Sequence, residues 1–218
     1  RAQLGVLDKV GLYFRSAAGG GTGLFDNFAV SALDPALMAA LEAQARRPKI
    51  VPLPEKMELA TGTFSLTPET VIVVAGDARR AGQYLAWLLR RPTAYELPIR
   101  DAAPDAQTAN CIVLRTDSAK EHLGAEGYEL TIAPDRIVIE AATDAGAFYG
   151  VQTLRQILPA AVESEFPTVN VDWTAPCLHI VDKPRYSWRG IMLNPGFNFL
   201  TKDFVKRYLD AMACYKLN

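Results

Sequence analysis

Arg189 follows Trp188 and precedes the apolar run Ile191-Met192-Leu193. A guanidinium presents a planar fork of donors, which can grip neighbouring hydroxyls on a ligand. A charge on so apolar a stretch needs a partner if it is buried. The bland alternative is a solvated arginine at a strand start, and residue type alone leaves both readings open. Other reactive side chains are scattered. Cys111, Cys177 and Cys214 lie far apart, form no CxxC motif and are odd in number. With only His122 and His179 as histidines, no zinc site or other cofactor is expected. The cysteines are expected to be buried fillers, since the thiol packs as a small hydrophobe.

The element that must position Arg189 is a strand expected from Trp188 to Asn194. Asn194-Pro195-Gly196-Phe197-Asn198 reads as a loop. Thr201 can then cap a helix, with Asp203 favourably placed near its positive end. Phe204, Tyr208, Leu209, Met212 and Tyr215 give that helix an apolar face, and Lys216 suits its C-terminus. Lys216-Leu217-Asn218 would lead into a further strand. One βα unit cannot bury its own sheet faces, so residues 184–218 expect the rest of a parallel sheet or barrel. We therefore expect the chain to be a piece of a longer protein.

Upstream, residues 50–183 read as one α+β domain. Thr70–Ala75 and Asn110–Leu114 are short apolar strands. Between them Asp77 can cap a helix through about Arg90, with Ala81, Leu85, Leu88 and Leu89 at helical spacing and Arg91-Pro92 ending it. Tyr128–Ile132 alternates, and Ile137–Ala141 pairs with it across Ala133-Pro134-Asp135-Arg136, a turn in which Pro presets φ. Asp144 can cap a further helix whose Ala147, Val151, Leu154 and Leu158 share a face before Pro159 stops it. Residues 35–49 read as a linker helix opened by Asp34-Pro35 and stopped at Pro48. Residues 1–34 read as a partial β-sandwich hairpin, Val10–Arg15 and Leu24–Leu33, joined by a Gly-rich connector. The run Gly23-Leu24-Phe25-Asp26-Asn27-Phe28-Ala29-Val30 resembles the last strand of lectin-like sandwich modules.

Half of the residues are apolar, 22% are charged, and the formal net charge is -1. That balance argues against a nucleic-acid binder, which carries a basic excess. No run approaches the ~18 apolar residues of a membrane span.

Three collinear stretches carry a longer resemblance. The first is Gly127-Tyr128-Glu129-Leu130-Thr131-Ile132 with Ile137-Val138-Ile139-Glu140-Ala141. The second is the run from Gly146-Ala147-Phe148-Tyr149-Gly150 through Gln152-Thr153-Leu154-Arg155-Gln156 to Pro159. The third runs from Ile180-Val181-Asp182-Lys183-Pro184-Arg185 through Trp188-Arg189-Gly190 to Leu193, continued by Phe204–Asp210. Together they resemble family-20 glycoside hydrolases, the β-N-acetylhexosaminidases, over about Ile50 to Asn218.

The resemblance implies a mixed or antiparallel sheet with helices on one face over residues 50–183. It implies the first βα unit of a (β/α)8 barrel over residues 184–218. It also implies removal of terminal β-linked N-acetylglucosamine or N-acetylgalactosamine from a glycan with retention, the substrate's own 2-acetamido oxygen attacking the anomeric carbon. The Asp-Glu pair that does this work in the family has no counterpart after Trp188, so no catalytic residue is assigned. Arg189 is the one residue carried over, matching a family arginine that hydrogen-bonds sugar hydroxyls. Asn194 stands where the family has Asp, and Phe197 where it has Arg. Family habit favours the periplasm, cell exterior or lysosome. The alternative is a non-catalytic structural or carbohydrate-associated module with a degenerate site.

Overall fold

The computed structural model describes residues 47–101, 109–196 and 199–218. The hairpin expected over residues 1–34, the helix expected over 36–46, and Phe197 lie outside them. Among the described residues, seven strands form one mixed sheet: β1 (Lys56–Ser65), β2 (Val71–Ala75), β3 (Ile99–Asp101), β4 (Cys111–Thr116), β5 (Tyr128–Ile132), β6 (Arg136–Ala141) and β7 (Thr174–Asp182). Their spatial order is β1-β7-β5-β6-β4-β2-β3. The β3, β2, β4 and β6 half is parallel, and β6, β5, β7 and β1 pair antiparallel.

Alternation along the strands divides the sheet into two faces. Ile72, Val74, Ile112, Leu114, Leu130 and Ile139 join the main core, while Val71, Val73, Cys111 and Val113 form a small cluster on the opposite face. Helices α1 (Arg79–Thr93) and α2 (Asp144–Ile157) contribute only to the first. The fold is thus α+β, with its helices on one side of a mixed sheet. The expected helical stripe of α1 is buried at Ala81, Leu85, Leu88 and Leu89, and that of α2 at Ala147, Val151, Leu154 and Leu158. The expected β5–β6 hairpin forms, its turn closed by the Ala133 N–H on the Arg136 carbonyl at 2.9 Å.

Three local expectations change. Asp77 does not cap α1; its N–H donates to Thr116 Oγ1 at 2.6 Å, and Ala78 stands at the cap with no side-chain bond. Thr143, not Asp144, caps α2, accepting from the Gly146 N–H. Asp144 instead reaches across to the first turn of α1, accepting from the Ala81 N–H at 3.2 Å. One helix-start donor of α1 is thereby satisfied from its neighbour, which ties the two together. Finally, Trp188–Asn194 forms no strand. A strand requires a neighbour, and the backbone bond this stretch makes to a later segment is the Asn218 N–H on the Arg189 carbonyl, at 3.0 Å. The helix after it, α3 (Lys202–Cys214), forms as expected, capped by Thr201 Oγ1 on the Phe204 N–H.

Candidate functional site

Arg189 is largely buried, and its charge has found partners. Nη1 and Nη2 meet both oxygens of Glu126 at 3.1 Å, a bidentate pair. Nη1 also donates to the Tyr186 carbonyl at 2.6 Å, Nη2 to the Tyr149 hydroxyl at 3.2 Å, and Nε to the Lys216 carbonyl at 2.7 Å. A guanidinium has five N–H donors, so every one of them is engaged. Glu126 gains as much as it gives: the Arg189 hydrogen bonds, outweighing partial burial, hold its carboxyl below the ordinary value.

Beside this pair lies a more deeply buried one. Lys216 follows α3 with φ at 57°, in the left-handed region. Its N–H bonds the Ala213 carbonyl and the Leu217 N–H bonds the Met212 carbonyl, the closing pattern that glycine usually occupies. A side chain there costs about 1–2 kcal/mol. The ammonium accounts for the choice: it is buried, donating to Asp182 Oδ2 at 2.7 Å and to the Tyr128 hydroxyl at 2.8 Å. Tyr128 in turn donates to Asp182 Oδ2 at 2.9 Å and bonds the Thr153 hydroxyl. Burial pulls the Lys216 ammonium down from its ordinary value, against the Asp182 charge, and pushes the Tyr128 phenol well up.

A third contact lies on the helix side. Arg155 of α2 is bidentate to Glu163 and reaches both carboxyl oxygens of Asp210 on α3, at 3.2 and 3.1 Å. Gln156 bridges the Val51 backbone to the Cys214 carbonyl. The two arginine centres and the Lys216 centre therefore join the α+β domain to the segment after residue 184. A cavity of about 590 Å³ opens over the Arg189 and Lys216 centres, lined by Pro52, Leu53, Glu126, Tyr128, Tyr149, Asp182 and Tyr186 among others.

The positions that support these contacts coincide with the collinear stretches that make the sequence recognisable: Tyr128; Tyr149, Thr153, Arg155 and Gln156; Asp182 and Arg189. Residues 47–183 match the model of glycosyl hydrolase family 20, domain 2, and residues 186–218 that of the glycosyl hydrolase family 20 catalytic domain. The chain belongs to glycosyl hydrolase family 20. A beta-hexosaminidase of Porphyromonas gingivalis is 34% identical over 170 residues, 78% of this chain and 21% of that protein. Among solved structures, the GH20 beta-N-acetylhexosaminidase of Streptomyces coelicolor superposes with a TM-score of 0.71 at 39% identity, over 79% of this chain and 34% of that one. A mutant Streptomyces plicatus beta-hexosaminidase in complex with product, GlcNAc, gives 0.70 at the same identity and the same coverage. The chain thus spans a fifth to a third of these family-20 relatives.

Within this family-20 chain, Arg189 stands near the start of the Trp188–Asn194 stretch and Asn194 at its end. Enzyme barrels work at the C-terminal ends of their strands. Asn194 is exposed there, and its Oδ1 accepts from the Gly196 N–H at 3.0 Å, so the side chain shapes its own turn. Cys111 and Cys177 are buried as expected, but Cys214 is only half-buried, because its end of α3 is partly open. Burial raises all three thiols above their ordinary value, which disfavours the reactive thiolate. Among the described residues, no group of three or more His, Cys, Asp or Glu could hold a metal ion, and no helix is long and apolar enough to cross a membrane. Sequence reasoning missed Glu126, Tyr149, Asp182 and Lys216. The signal available was Lys216 itself, a lysine where a helix-ending glycine would be unstrained.

Proposed function

We propose that this chain serves a β-N-acetylhexosaminidase that removes terminal β-linked N-acetylglucosamine or N-acetylgalactosamine by substrate-assisted, retaining hydrolysis. The supporting observation is the match to family 20 across both domain 2 and the start of the catalytic domain. The Streptomyces plicatus relative, which holds GlcNAc as product, supports the sugar class. The acid–base Asp-Glu pair of this chemistry would come from barrel strands beyond residue 218. Residues 1–218 alone are expected to release no chromophore from a chromogenic N-acetyl-β-glucosaminide. The product of the coding sequence read past Asn218 is expected to release it. An inert product would favour a non-catalytic carbohydrate-associated module.

Direct contact of Arg189 with sugar hydroxyls belongs to this reading as its residue-level expectation. It requires the guanidinium to give up at least one of its five bonds. A rise in KM on Arg189→Lys, with kcat retained, would support it.

A further inference from the structure

Two turns of the α+β domain flank a cavity of about 540 Å³ beside the start of β2. The first, residues 94–98, carries the chain from α1 into β3 with two non-glycine residues in the left-handed region, Ala94 at φ 58° and Leu97 at φ 41°. Backbone of this kind persists only where its surroundings over-determine it, and it gathers at ligand clamps. Here Arg90 supplies the hold: Nε donates to the Glu96 carbonyl at 2.7 Å and Nη2 to the Leu97 carbonyl at 3.0 Å. The Tyr95 N–H donates to Thr93 Oγ1 at 3.1 Å, and the Ile72 N–H to the Pro98 carbonyl at 3.0 Å. Leu97 is fully buried, while Tyr95 is half-buried and Glu96 exposed. The second turn, residues 67–70, is tied to Asn110: Thr70 Oγ1 donates to Asn110 Oδ1 at 2.8 Å, and Asn110 Nδ2 to Thr67 Oγ1 at 2.7 Å. This cavity is not the one beside Arg189. Tyr128 and Asp182, which line that one, stand level with the last residues of β4 and β6, whereas Val71 opens β2 beside this one. Strand β4 is six residues long, so the two lie about 20 Å apart along the strands.

The walls mix apolar and hydrogen-bonding groups. Pro68, Pro98 and the Tyr95 ring supply apolar surface, Glu69 and Glu96 supply carboxylate acceptors, and Arg100 supplies a fork of donors. Among the described residues, the Glu96 and Arg100 side chains have no ion-pair or hydrogen-bond partner. Two carboxylates disfavour an anion, and the guanidinium disfavours a cation. The mixture suits a neutral ligand with many hydroxyls and an apolar face, which is a saccharide ring. We propose that this cavity is a second, non-catalytic saccharide site on the α+β domain. Tyr95 carries one ring of a β-linked N-acetylglucosamine oligomer, and Glu69, Glu96 and Arg100 hold its hydroxyl and acetamido groups. The choice of sugar rests on the hexosaminidase reading. At its distance from Arg189 the site cannot hold the reacting sugar, so it holds another part of the glycan. The pinned turns leave little to be ordered on binding, which favours affinity.

The test is a titration of the 218-residue chain with the β-linked N-acetylglucosamine tetramer, followed by backbone amide shifts. Saturable shifts are expected at the amides of Glu69, Tyr95, Glu96 and Arg100. A Glu96→Gln, Arg100→Met double variant is expected to raise the Kd at this site about tenfold, with the amides of β4 and β6 unmoved. Tyr95→Ala is expected to do the same. Glu96 and Arg100 are exposed, so the double variant keeps the test decisive if Tyr95→Ala fails to fold. Arg189→Lys is expected to leave the Kd here unchanged. No saturable shift at Tyr95 and Glu96, or an unchanged Kd in the double variant, overturns the proposal. Shifts at these amides with a basic peptide but not with the tetramer overturn it in favour of a protein partner. Turnover by the product read past Asn218, without shifts at Tyr95, removes this site and leaves the hexosaminidase reading standing. Shifts at Tyr95 beside an inert product support the site and remove that reading.

Discussion

Lys216 and Glu126 show how much a single charged side chain contributes here. The Lys216 ammonium is almost fully withdrawn from water onto Asp182. Removing one member of such a pair leaves the other charge buried and unpaired, at about 3–5 kcal/mol. Lys216→Met is therefore expected to lower the stability of the chain by that amount, read as a shift of the urea midpoint at unchanged slope. Glu126 makes a prediction about acid. Its carboxyl sits below the ordinary 4.5 chiefly because Arg189 donates to it. A group lowered on folding contributes stability above its unfolded value and loses it as pH falls through its folded value. Below about pH 4.5 the melting temperature of the wild type should thus fall more steeply than that of Glu126→Gln. Parallel curves would sever the Glu126–Arg189 pair from stability.

The helix α2 is the element on which the sheet and the junction both depend. Gly146 and Gly150 lie on its sheet-facing side, and a Cβ at either would overlap Gly127 backbone or the Ile139 side chain. The approach lets Thr153, Arg155 and Gln156 reach the junction. Gly150→Ala is expected to cost roughly 1–3 kcal/mol by overpacking, measured by denaturant titration. Thr143→Ala, which removes the cap, should cost about 1 kcal/mol. Periodicity discloses α1, α2, β5 and β6 because each buries one face only. It does not disclose β1, an edge strand exposed along most of its length, or β3, which is three residues long. In β7, Pro176 breaks the look of a central strand, although Ala175, Leu178 and Ile180 are buried in the main core.

At the scale of the molecule, the α+β domain has a finished core while the segment after it does not. Trp188, Met192 and Phe199 are exposed, and Phe204 and Leu209 lie open on α3. Exposed large apolar side chains of this kind favour association. The chain is expected to self-associate as its concentration rises in sedimentation runs, and a Trp188→Lys, Met192→Lys double variant to stay monomeric at the same concentrations. Equal behaviour of the two would show that this surface is not the one responsible.

By itself the sequence determined the helices, the β5–β6 hairpin, the α+β class and, through three collinear stretches, the family. These are local or patterned features, set by spacing along the chain and by turn and cap chemistry. What Arg189 touches was a tertiary matter. Its partner Glu126 is 63 residues away, and Lys216 meets Tyr128 across 88. No periodicity links positions so distant; they meet because α2 lies close on the sheet and α3 packs beside α2. The same packing brought Asp144, a residue on another helix, to the Ala81 N–H in the first turn of α1. In the folded chain the arginine read as a hand for sugar is held by a carboxylate of the α+β domain. The reason is physical: a buried guanidinium takes whichever carboxylate the fold brings within reach, and the fold brings Glu126.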